Sequence, residues 1–135
     1  DHAWGWMLSL QYRGNHLCGA TLIAAGFAFT AAHCLSTNIQ TLQNFTIVAG
    51  TNYLNDTGAQ VQRRSLISTF IYPQYNYSAF SNDVAIIRFQ PFDIGSGSVI
   101  KPICLGSPNQ DVYTVGQNLV AIGWGIETYG SAVLP

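Results

Sequence analysis

Charge is what this sequence has least of. Of its 135 residues only 8% are Asp, Glu, Lys or Arg, five basic against six acidic, for a net charge of −1. Nucleic-acid surfaces need clustered cations, so composition excludes that partner class. Long apolar runs are absent too: nothing approaches the ~20 residues of a membrane-spanning helix, and no charged start followed by an apolar segment marks a leader. Cysteine is scarce and odd in number. Cys18, Cys34 and Cys104 form no C-x-x-C pair, and His33 beside Cys34 lacks the ligand spacing that suits zinc, so no metal and no cofactor are expected. Internal repeats, low-complexity tracts and sustained helical periodicity are missing as well.

What remains is apolar, aromatic and short-ranged. Hydrophobic residues make up 48% and aromatics 13%, ample to fill a core, so disorder is excluded. Trp4 to Tyr12 alternates in part and reads as a strand, Arg13-Gly14-Asn15 as a hairpin turn, and His16 to Ile23 as a second strand. Ala25-Gly26 offers another turn before Phe27 to Thr30. Phe45–Ala49, Gln60–Tyr72 and Asp83–Phe89 follow as strands, and Val99–Leu105 as an extended run. Tyr72 to Asn82, aromatic and polar with a proline, reads as a surface loop that borders a cleft. Gly106 to Asp111 looks like linker, and Asn118 to Gly125 like one more strand. Short strands at close spacing point to an all-β barrel or sandwich.

Three triplets, Asn44-Phe45-Thr46, Asn55-Asp56-Thr57 and Asn76-Tyr77-Ser78, are candidate N-glycosylation acceptors, their asparagines within 33 residues. In a chain short of charge they favour a secreted, extracellular protein. The odd cysteine then needs a partner elsewhere or is free.

The chemistry starts at Thr30-Ala31-Ala32-His33-Cys34. Histidine is the side chain suited to passing a proton near neutral pH. Asp83 opens an apolar strand, where an ionised carboxylate needs a partner, and an imidazole N–H is a suitable one. Such a pair would orient the ring and leave its other nitrogen to act as a base. Spacing alone does not pair them.

A resemblance does. Cys18-Gly19-Ala20-Thr21-Leu22-Ile23, Thr30-Ala31-Ala32-His33-Cys34, Asn82-Asp83-Val84-Ala85-Ile86-Ile87, Lys101-Pro102-Ile103-Cys104-Leu105 and Gly123-Trp124-Gly125 resemble, in order, the landmarks of the trypsin/chymotrypsin family of serine proteases. Trp4 to Leu10 resembles its first strand. The resemblance implies a six-stranded antiparallel β-barrel over residues 1–105, the N-terminal half of a two-barrel chymotrypsin-like fold, a linker over 106–117 and the first strand of a second barrel over 118–135. It implies His33 as general base and acid, Asp83 as the group that orients it, and a Cys18–Cys34 disulfide. Cys104 matches a cysteine that tethers the catalytic domain to a propeptide or preceding chain. The substrate class is peptide or protein.

The departures are equally definite. No Gly-Asp-Ser-Gly-Gly stretch and no Gly-x-Ser-x-Gly occurs, so the nucleophilic serine is expected in a C-terminal barrel outside the chain. The chain opens downstream of the family's Ile-Val-Gly-Gly start, and by itself it is expected to be inert. Leu119 stands where many members carry a cysteine. Thr51 stands where calcium-binding members place a glutamate, and calcium needs hard oxygen ligands. Arg63-Arg64 reads as exposed strand or as a processing site. Three functional readings follow: part of a secreted serine endopeptidase, an inactive homologue that binds a partner, or a glycosylated β-barrel interaction module.

Overall fold

The computed structural model describes residues 3–36, 39–109 and 113–126. Six strands account for most of the regular structure: β1 (Met7–Tyr12), β2 (Asn15–Ala24), β3 (Phe27–Thr30), β4 (Phe45–Ala49), β5 (Gln62–Ile71) and β6 (Ala85–Phe89). One helical turn, α1 (His33–Ser36), follows β3, and a kinked 3₁₀ segment, Ile39–Asn44, leads into β4.

Every neighbouring pair is antiparallel, and the order β1-β2-β3-β6-β5-β4 closes on itself through β4 and β1. A closed barrel leaves no unpaired sheet edge. Leu8, Leu10, Leu22, Ala28, Phe45, Ile47, Ile87 and Phe89 fill its interior, all essentially without solvent contact. Period-two alternation is clearest in β6, where Ala85, Ile87 and Phe89 are buried and Arg88 is exposed.

Local chemistry sets the turns. Arg13 and Gly14 both take positive φ, 50° and 82°, between the paired Tyr12 and Asn15, the two-residue turn whose twist matches that of the flanking strands. Gly50 leaves β4 at φ 77°, where a Cβ would lie 2.4 Å from the Gln60 carbonyl oxygen, so only glycine fits. Register slips in β1–β2, β2–β3 and β5–β6 supply the bulges that bend strands into a small barrel.

Arg63 and Arg64 lie in the β4–β5 ladder, and Arg64 lays its guanidinium over Phe92 while donating to the Pro91 carbonyl. They are paired strand residues. Val99–Leu105 forms no strand, yet it is anchored: Lys101 N–H donates to the Gly5 carbonyl, Ile103 N–H to the Leu22 carbonyl, and Ile100 is fully buried. Residues 118–126 also carry no strand, contrary to the sequence pattern. An extended segment becomes a strand only by exchanging ladder hydrogen bonds, and none of the described strands pairs with it. Its Trp124 instead stacks edge-on against His16 and donates its indole N–H to the Asn52 carbonyl at 2.9 Å.

Candidate active site

Thr30 at the end of β3 pairs with Ala85 at the start of β6. His33 lies three residues beyond Thr30 and Asp83 two residues before Ala85, so the antiparallel register brings both to one end of the barrel. Fifty residues of chain separate them, and one ladder joins them.

Three devices hold the His33 turn. Thr30 Oγ1 donates to the Gly19 carbonyl at 2.9 Å, tying the end of β3 to β2. Ala32 and Leu35 are fully buried, and the small Ala31-Ala32 pair lets one tight turn follow, with Leu35 and Ser36 N–H groups donating to the Ala32 carbonyl. A disulfide joins Cys18 on β2 to Cys34, with Cα atoms 6.3 Å apart. It resolves one alternative outright. Cys18, His33 and Cys34 place donor atoms within 4.8 Å of one another, but both sulfurs are spent in the disulfide and offer no thiolate to a metal.

Asp83 reaches His33 twice. Oδ1 accepts the His33 backbone N–H at 2.8 Å and Oδ2 meets ring Nδ1 at 2.6 Å. An ionised carboxylate only accepts, so Nδ1 carries the ring proton of the neutral imidazole. Nε2 is then the basic nitrogen. It lies 3.5 Å from Cys34 Sγ, and since a disulfide sulfur has no hydrogen to give, that contact is packing and the lone pair stays available. The His33 side chain is 44% exposed and that of Asp83 21%, so the base faces solvent while its orienting group is sheltered. The hydrogen bond from the His33 ring, opposed by partial burial and assisted by the His33 backbone N–H, holds the Asp83 carboxyl below its ordinary range.

Two neighbours complete the surroundings. Phe80 sets its ring edge-to-face with His33, centroids 6.1 Å apart, and Tyr77 leans on Phe80 at 5.9 Å. A cleft of about 430 Å³ opens beside Asp83, lined by Trp6, Gly19, Phe29, Ala31 and Ile122 among others. The density of aromatics between Tyr72 and Phe80 was the only sequence signal for the Phe80 contact.

A family model described as trypsin matches residues 1–134. The chain belongs to the trypsin family. Among curated relatives, trypsin beta of Drosophila erecta is 35% identical over 131 residues, covering 96% of this chain and 48% of its own. Trypsin alpha of Drosophila melanogaster is 33% identical over 131 residues, covering 96% and 47%. The chain therefore spans about half the length of these trypsin-family relatives.

Among the described residues, the remaining candidates of the sequence make no hydrogen bond to His33. His16 accepts or donates a 2.8 Å hydrogen bond between Nδ1 and Ser9 Oγ on β1, a structural pairing. Cys104 is exposed and unpaired among the described residues. Asn55 and Asn76 are exposed, whereas Asn44 is half-buried. His2 and residues 127–135 fall outside the described residues.

Proposed function

We propose that the chain is the histidine- and aspartate-bearing part of the catalytic domain of a secreted serine endopeptidase. The two-point hold of Asp83 on His33 carries the reading: it fixes ring orientation and tautomer together, which a buried structural histidine does not require. Family membership supports the reaction class.

In the proposed mechanism a serine hydroxyl from the part of the polypeptide beyond this chain approaches His33 Nε2. The nitrogen takes the hydroxyl proton as the oxygen attacks a peptide carbonyl, and the C–N bond breaks as Nε2–H protonates the leaving amine. Asp83, ionised throughout, stabilises the imidazolium that forms in between. Water repeats the sequence in reverse to release the acyl group. Residues 106–117 serve as the linker and 118–135 as the start of the second barrel. Cys104, exposed on the linker's near side, bonds a propeptide or preceding chain. The chain alone, with no serine in a Gly-Asp-Ser-Gly-Gly setting, hydrolyses nothing.

The test is a fluorophosphonate applied to the full-length, processed protein. Labelling of one serine is expected, slowed at least about 10²-fold in His33→Ala, the scale of general-base catalysis. Absence of label on the wild-type protein would reject the reading.

A further inference from the structure

Three N-glycosylation triplets stand in very different surroundings. Asn44 is half-buried, its carbonyl accepts the Arg13 N–H, and Phe45, the next residue, is fully buried, so a sugar there would crowd packed neighbours. Asn55 is exposed on a loop whose bonds run to Thr51, Asp56 and Arg63, none of which touches His33. Asn76 is exposed on the loop that does touch it.

The amide of Asn76 is also oriented. Its Oδ1 accepts the backbone N–H groups of Ser78 at 3.0 Å and Ala79 at 3.1 Å. Both partners are donors, so the oxygen must face them, and Nδ2, the atom that bears an N-linked sugar, points away from the loop. The loop is closed on itself as well. Asn76 N–H donates to the Ser81 carbonyl at 3.0 Å, and Asn82 Nδ2 donates to the Gln74 carbonyl at 3.0 Å. Phe80 and Asn82 hold φ of 49° and 54°, and a phenylalanine in the left-handed region persists only where its surroundings over-determine it. The sugar's exit direction is therefore fixed. Next to it in sequence is Tyr77, which packs on Phe80, which packs on the His33 ring.

We propose that Asn76 carries an N-linked glycan that walls one side of the approach to His33, hindering folded protein substrates while admitting short flexible peptides. The inference rests on the endopeptidase reading above. A branched, hydrated sugar on a fixed stem excludes volume without touching the reacting atoms, so it slows the docking of large partners and leaves proton transfer alone. Asn76 is then a determinant of substrate size rather than of substrate sequence.

The test uses the full-length polypeptide secreted from glycosylating cells, as wild type, Asn76→Gln, Ser78→Ala and, as control, Asn55→Gln. Ser78→Ala is the sharper variant, because it abolishes the acceptor triplet while keeping Asn76 and its backbone partners. Glycopeptide mass spectrometry reads occupancy, ester hydrolysis reads the chemistry, and the association rate of a folded-protein serine-protease inhibitor reads access. Occupied Asn76 is expected, with association about fivefold faster in both Asn76→Gln and Ser78→Ala, within the span that one interface covers, and ester hydrolysis unchanged in Ser78→Ala. Bare Asn76, or equal association rates with and without its sugar, overturns the inference and leaves the protease reading standing. A wild-type protein that neither hydrolyses the ester nor binds the inhibitor overturns both. A rise in Asn55→Gln matching that in Ser78→Ala also overturns the inference, since it would assign the effect to sugars in general.

Discussion

Asp83 grips His33 by the backbone and by the ring at once, through Oδ1 on the peptide N–H and Oδ2 on Nδ1. Replacing it with asparagine keeps one acceptor for the peptide and turns a donor NH₂ toward the ring. Nδ1 would then accept, the ring proton would move to Nε2, and the base would be lost. Full-length Asp83→Asn should lose at least about 10²-fold in kcat for ester hydrolysis, with KM little changed. A steady-state comparison at neutral pH checks it.

The Cys18–Cys34 bridge closes a loop of 16 residues around β3 and the His33 turn. Loop closure of that size stabilises by about 3 kcal/mol on the chain-entropy account. The double variant Cys18→Ser, Cys34→Ser should therefore unfold in urea about 3 kcal/mol more easily than the oxidised parent. Reductant should remove most of the difference.

Acid should weaken the fold through His16. Burial pushes its pKa below the ordinary 6.5, so the unfolded chain binds a proton before the folded one does. Stability from neutral His16 is complete above the unfolded value and is lost as pH falls from about 6.5 through the folded value. Asp83, also held low, acts in a separate and more acidic window, below its ordinary 3.8. Thermal midpoints measured between about pH 7.5 and pH 5.5 should fall less steeply in His16→Gln than in the parent.

Thr51 sits 8% exposed at the head of the β4–β5 loop. Its hydroxyl donates to the Tyr53 carbonyl at 2.6 Å, accepts the Tyr53 N–H at 2.9 Å and lies 3.1 Å from Asp56 Oδ2. Asp56 in turn takes Gly58 N–H on its other oxygen, and its carbonyl takes Arg63. Protein groups already bind the oxygens a cation would need. A chelator should leave the melting midpoint unchanged, whereas Thr51→Val should destabilise by about 1–3 kcal/mol, the cost of stranding buried polar partners.

Much of this was legible from residues alone, and the exceptions share a cause. Phe45–Ala49 reads as a strand and is one to the residue; Arg13-Gly14-Asn15 reads as a turn because glycine and polar neighbours announce it, and the turn is Arg13-Gly14, with Asn15 already opening β2. His33 and Asp83 were named by family landmarks, not by periodicity. What stayed hidden depended on geometry that no local pattern records. The backbone half of the Asp83 grip, the Phe80 edge on the imidazole and the Thr51–Asp56 closure each need atoms brought together in three dimensions. Asn118–Gly125 erred in the opposite direction: its composition suits a strand, but a strand is a relation between two segments, and the described partner is lacking.

The order of strands around the barrel has a kinetic side. β1, β2 and β3 zip as consecutive hairpins, whereas β6 must travel back past β4 and β5 to lie against β3. That seam has the longest span of sequence to bridge, and distant pairings bear the largest loop-closure entropy before they are rewarded. Because His33 and Asp83 flank it, the ring and the carboxylate meet only when that seam shuts. The His33–Asp83 pair is thus a clasp, and a probe on the imidazole would time the closing of that seam.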